Sequence, residues 1–229
     1  MRINEIIDLS IPYHGELCPK IWEGMNMKEE VRTQLMFVAE QFIDQLKIPE
    51  HMVKDVTVTG SLANYNWSKY SDVDLHIIVG DLDHDLYGDY FHAKQMAWNL
   101  THDITCKGHD VELYVQDESE PHHSSGVYSL SNDEWVVTPT HDVPEIDKDA
   151  VKRKVRAIAN EIDVISPSCN NKGKIEKIKN KIKKMRQAGL DATGEFSTEN
   201  LVYKVLRNNG YIDKLYDNLN TSIDKCLSI

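Results

Sequence analysis

The run DVDLHIIV (72–79) alternates polar and apolar residues, which commits it to a β-strand buried on one side. On such a strand Asp72, Asp74 and His76 share one face, and Val73, Leu75, Ile77 and Val79 share the other. Two carboxylates one strand step apart constrain what the chain can become. The sheet must bury its apolar side under helices and keep the acidic side open, or supply that side with a cation.

The neighbouring sequence fits this requirement. VKDVTVT (53–59) reads as a second strand and ends at Gly60-Ser61. HDVELYVQD (109–117) reads as a third, with Asp110, Glu112 and Tyr114 on one face and Val111, Leu113 and Val115 facing the core. GVYSL (126–130) and EWVVTP (134–139) form a hairpin across Ser131-Asn132-Asp133. Two helices supply the cover. In 28–46, Val31, Leu35, Val38, Phe42 and Leu46 recur at helical spacing before Pro49. In 85–104 the expected stripe is Leu86, Tyr90, Phe91, Ala93, Ala97, Leu100 and Ile104. After Pro144 the character changes. Residues 147–165, 174–188, 198–208 and 211–226 read as helices, broken by Pro167, Gly189, Gly194 and Asn208-Asn209-Gly210.

The predicted class is therefore α+β: a mixed or antiparallel sheet covered by helices on one face, then a small all-helical part. The expected domains are 1–145 and 146–229, with the helical region packed on the first. The 229 residues suffice for such an arrangement. No apolar run is long enough to span a bilayer, and the first twenty residues do not read as a secretory signal. The four cysteines, Cys18, Cys106, Cys169 and Cys226, form no CxxC pair and are expected to be reduced thiols in a cytoplasm.

Charge is unevenly spread. The net charge is −11, yet residues 148–188 hold thirteen Lys/Arg against four Asp/Glu. A cationic segment beside an acidic body points to a polyanionic ligand or a nucleic acid. Within it Ile175, Ile178, Ile182 and Met185 form an apolar stripe for core packing. Lys174, Lys177, Lys181 and Lys184 flank the stripe on one side, and Lys172, Lys179, Lys183 and Arg186 on the other. No aromatic residues are interleaved there, so base stacking is not indicated.

If the three strands are neighbours, Asp72, Asp74 and Glu112 converge on the open face. Glu112, set between Val111 and Leu113, is the better placed third acid than Asp110. Clustered carboxylates of this kind suit Mg²⁺ or Mn²⁺, and two such ions can clamp a phosphoryl displacement. Gly60 permits close backbone approach and Ser61 opens a short turn that can hold phosphate. Three His-Asp dipeptides (102–103, 109–110, 141–142) and His122-His123 carry weaker signals, and His76 reads as a hydrogen-bonded structural residue.

Gly60-Ser61, ten residues, Asp72-Val73-Asp74-Leu75, then Val111-Glu112-Leu113 resembles the polymerase-beta-like nucleotidyltransferase superfamily. The spacing is most similar to its antitoxin-type and aminoglycoside-type small members. The tail 194–215 is similar to that of phage-encoded nucleotidyltransferases of unassigned activity. The resemblance implies a metal-dependent enzyme that moves a nucleoside monophosphate from a nucleoside triphosphate such as ATP to a hydroxyl and releases pyrophosphate. Asp72, Asp74 and Glu112 would be the catalytic metal ligands, and Gly60 and Ser61 would cradle phosphate. The acceptor would be a protein or RNA rather than a small molecule, in the cytoplasm (the host's, if phage-encoded). The small members commonly carry an Arg just after Gly-Ser, where this chain has Leu62-Ala63-Asn64-Tyr65-Asn66. Positive charge is then expected from the basic segment, with Lys152 and Lys181 as candidates. The alternative is a catalytically weak nucleotide- or RNA-binding module on the same fold.

Overall fold

A computed structural model describes residues 13–80, 84–120, 124–141 and 145–228, with side chains described for all of these except 84–87. It divides into two units, Pro12–Val143 and a helical one over Pro144–Ile229. The Leu86 and His122-His123 expectations lie outside the described side chains, as does Asp142 of the third His-Asp pair.

In the first unit a small ribbon, β1 (Trp22–Glu23) and β2 (Asn26–Met27), precedes α1 (Glu29–Leu46). The five apolar residues spaced along α1 are all buried. The helix ends where Lys47 adopts a left-handed conformation (φ 55°), two residues before Pro49. The main sheet comprises β3 (Val53–Thr59), β4 (Val73–Val79), β5 (Thr105–Cys106), β6 (His109–Asp117), β7 (Val127–Ser129) and β8 (Glu134–Val137), in the order β5-β6-β4-β3-β7-β8. All pairings are antiparallel except β4 with β6. That parallel pair needs a crossover, supplied by α2 (His84–Thr101). Val73, Leu75, Ile77 and Val79 of β4 are fully buried and share one core with α1, Phe91 and Trp98 of α2, and Leu113 of β6.

The face that α2 buries differs from the expected stripe. Phe91, Gln95 and Trp98 point inward, while Ala93 and Ala97 are exposed and Leu100 is 86% exposed. The reason is the edge of β6. Strand β5 pairs only with its first residues, which leaves the main chain beyond Asp110 in need of partners. Asn99 supplies both at Leu113, accepting from its N–H (3.1 Å) and donating to its carbonyl (3.0 Å). Gln95 accepts from the Val115 N–H (3.1 Å). Two amide side chains thus stand in for a strand, and that draws polar positions of α2 inward.

The second unit contains α3 (Lys148–Asp163), α4 (Lys172–Thr193), α5 (Thr198–Asn208) and α6 (Tyr211–Leu227) around their own core. Asp147 caps α3 by accepting from the Ala150 N–H, and Ser197 caps α5 by accepting from that of Asn200. The stripe Ile175, Ile178 and Ile182 is buried, with Met185 packed beside it. Gly189 does not end α4, as expected from sequence, but lies inside it. A Cβ there would come within 2.6 Å of both Glu199 Cβ and Ser197 Oγ, so glycine permits the close approach of α4 to the start of α5.

The cysteine expectation is corrected in half. Cys169 and Cys226 form a disulfide, while Cys18 and Cys106 are buried free thiols. Fifty-seven residues separate the bonded pair. It is created by the packing of α6 on the turn before α4, which sequence spacing does not reveal. Among the described residues no helix is long and apolar enough to cross a membrane.

Candidate active site

The parallel register of β4 and β6 sets Asp74 opposite Glu112, with Val73 opposite Val111 and His76 opposite Tyr114. Asp72 immediately precedes β4, two residues before Asp74. Asp72, Asp74 and Glu112 are all half-buried, and Asp110 is exposed at the start of β6. Glu112 therefore lies level with Asp74 and is not covered by packed side chains.

Tyr114 reports on the charge around it. Its hydroxyl donates to Glu112 Oε2. Burial raises its pKa strongly, and the negative charges of Asp74, Glu112 and Asp72 add to the shift. All three carboxylates thus act on one phenol. Among the described residues, however, no three carboxylate, imidazole or thiol groups are drawn together closely enough to hold a metal ion.

The chemistry of this donor set suits a hard divalent cation, and the backbone is shaped around it. Gly60 follows β3, whose last residue, Thr59, pairs with Asp74. Its φ of 74° and ψ of −159° favour glycine, and a Cβ at this position would fall 1.8 Å from Asp74 Oδ2. The Asp74 carboxylate therefore fills the space a side chain would take.

Several positioning residues escaped the sequence reading. Ser61 donates its hydroxyl to Ser71 Oγ (2.8 Å), which in turn accepts from the Ser68 N–H (2.9 Å). The Gly60 N–H donates to Ser124 Oγ (3.1 Å). His109 is buried with Nδ1 2.7 Å from the Ser71 carbonyl. A carbonyl only accepts, so Nδ1 carries the proton. This bond anchors the residue directly before Asp72. The only sequence signal for these partners was the density of small hydroxyl residues beside the motif.

Two of the weaker candidates, His76 and His102, make contacts within the fold. His76 Nδ1 lies 2.9 Å from Gln116 Oε1, and its ring stacks on Tyr114. His102 stacks on Trp98. Leu62 to Asn66, which stand where the small members carry an Arg, are all buried, and the Leu62 carbonyl accepts from Trp22 Nε1 (2.7 Å). That segment serves packing. Lys152 and Lys181 belong to the helical unit, where Lys152 lies 3.9 Å from Asp149 and Lys181 2.7 Å from Glu161.

No protein-family model matches the chain, and no curated protein matches it. Among solved structures it is similar to a STING-associated CdnE c-di-GMP synthase from Capnocytophaga granulosa. The identity is 12%, the match covers 86% of this chain and 84% of that one, and the TM-score is 0.26. So shallow an overlap carries no weight for function, and the site is read from its own geometry.

Proposed function

We propose that the chain is a metal-dependent nucleotidyltransferase of the polymerase-beta-like type. It would transfer a nucleoside monophosphate from a nucleoside triphosphate to a hydroxyl acceptor and release pyrophosphate. The observation that carries this reading is the register that sets Asp74 beside Glu112, next to a glycine turn packed against the Asp74 carboxylate.

Each residue then has a task. Asp72, Asp74 and Glu112 would hold Mg²⁺ or Mn²⁺. Such ions, when bound, supply charge neutralisation for the attacking and leaving oxygens. The Tyr114 hydroxyl orients Glu112 through one oxygen and leaves the other either to ligate a metal ion or, in place of that role, to accept the proton of the incoming hydroxyl. Gly60 lets the Asp74 carboxylate pack against the turn that would cradle the triphosphate, and the Ser61–Ser71 pair holds that turn in shape. The protein's contribution is positioning and charge placement. A protein or RNA hydroxyl is favoured as acceptor because residues 148–188 are strongly basic. Lys152 and Lys181, each beside a carboxylate, are not needed for this reading.

The second reading, a catalytically weak nucleotide- or RNA-binding module, is favoured by one observation: no three ligand groups stand at metal-binding distance among the described residues. Turnover separates the two. The protein is incubated with each labelled triphosphate, Mg²⁺ or Mn²⁺, and a lysate containing RNA and protein. Transfer that D72N and D74N abolish supports the enzyme. Absence of such transfer with all four nucleotides supports the binding module.

A further inference from the structure

The helical unit holds a cavity of about 490 Å³ between α4, α5 and α6. One wall is cationic: Lys179, Lys183 and Arg186, spaced along a single face of α4. Two aromatic rings complete it, Tyr203 from α5 and Tyr216 from α6. Lys179 Nζ lies 4.8 Å from the Tyr216 ring centroid, and the Arg186 guanidinium carbon 4.2 Å from that of Tyr203. Ile182, Ile212 and Leu215 line the interior, and among the described residues no carboxylate does.

The charge on this wall is not neutralised locally. Some basic residues of the unit have acidic partners, as Lys154 has Glu199 and Lys214 has Asp163. Among the described residues Lys179, Lys183 and Arg186 make no ion pair. Arg186 uses one guanidinium N–H on the neutral Asn200 Oδ1 (3.3 Å) and keeps its full charge for the cavity. Helix α4 by itself offers no aromatic groups. The fold brings them in from α5 and α6, which creates the charge-and-ring pairing that the sequence of α4 lacks.

We propose that this cavity is a second nucleotide site, separate from the three carboxylates. A phosphate would lie against Lys183 and Arg186, and a base would lie on the tyrosine rings over the apolar interior. A nucleotide is preferred to a fatty acid because the cations and rings are paired, and a long chain uses no rings. It is preferred to an RNA strand because the binding groups surround one cavity of small-molecule size.

The two sites differ in their need for metal. Three carboxylates repel a triphosphate unless divalent ions intervene, whereas a cationic wall binds it directly. Titration calorimetry with ATP in excess EDTA should therefore show one site, unchanged in D72N. K183A and Y216A should each weaken it about tenfold, with circular dichroism confirming the fold. K177A, on the same helix outside the cavity, should leave it unchanged. Photolabelling with 8-azido-ATP in EDTA should mark peptides within 179–216. The proposal is overturned if ATP gives no heat at millimolar concentration, or if both variants bind as the parent does. It is also overturned if the label maps to 57–76, or if a 12-nucleotide single-stranded RNA binds more than tenfold tighter than ATP. None of these results depends on transfer activity.

Discussion

Replacing Gly60 with alanine tests the site without touching any ionisable group. Two effects follow from its geometry. The backbone at φ 74°, ψ −159° belongs to a region nearly confined to glycine, so an added side chain costs about 1–3 kcal/mol. The new Cβ would also stand 1.8 Å from Asp74 Oδ2 and 2.9 Å from its Cγ, but 3.4 Å from its Cβ. Only the last is an ordinary contact. The Asp74 carboxylate must therefore rotate away while the strand stays in place. With an m-value of about 2 kcal/mol per molar urea, the unfolding midpoint should fall by roughly 0.5–1.5 M. Turnover should fall on the order of a hundredfold, the usual result when a reacting group is displaced by about 1 Å. D74N gives the contrasting pattern, a loss of transfer with an unchanged or higher midpoint, because it removes one of three repelling charges. Urea melts followed by circular dichroism, together with labelled-nucleotide transfer, read both effects. A G60A protein with the parent's midpoint and turnover would refute the packing of Gly60 on Asp74.

Mn²⁺ should raise the melting temperature, worth about 2.7 kcal/mol at a hundred times its dissociation constant, and should not do so in D74N or E112Q; an equal rise in all three proteins places the metal elsewhere. The Tyr128 phenol, buried and donating to Asp133 (2.8 Å), is pushed up to about 12. The folded state thus retains a proton that the unfolded chain loses near pH 10, so this stability is whole below about pH 10 and lost as pH rises through 12. Y128F should flatten that alkaline loss in urea melts, and equal slopes would count against it. Denatured without reductant, the protein should show two free thiols, those of Cys18 and Cys106. C226S should lower stability by about 2–4 kcal/mol in chemical denaturation, near the chain-entropy value of about 4 for such a loop. Four thiols, or an unchanged midpoint, would contradict the bond.

Strands that alternate cleanly could be read directly, and β3 and β6 run over the expected residues because one face of each is committed to the core. Parity puts Asp110 and Glu112 on the same face; what separates them is position along β6, where Glu112 lies level with Asp74 and Asp110 sits exposed at the strand's start. What sequence could not supply was pairing. The hydroxyl contacts of Ser71 and Ser124, the anchoring of His109, and the Cys169–Cys226 bond all join residues brought together by folding. The inward face of α2 differs from the apolar stripe because Gln95 and Asn99 are drawn in by the main chain of β6. The tyrosines beside α4 were missed because they come from other helices.

The amide plugs on β6 also bear on how this molecule avoids its neighbours in solution. A row of main-chain groups at a sheet margin invites any extended peptide to add itself, and Gln95 and Asn99 answer that invitation from within the same chain. Two modest side chains thereby occupy the main-chain groups through which the strand that carries Glu112 could pair with another molecule.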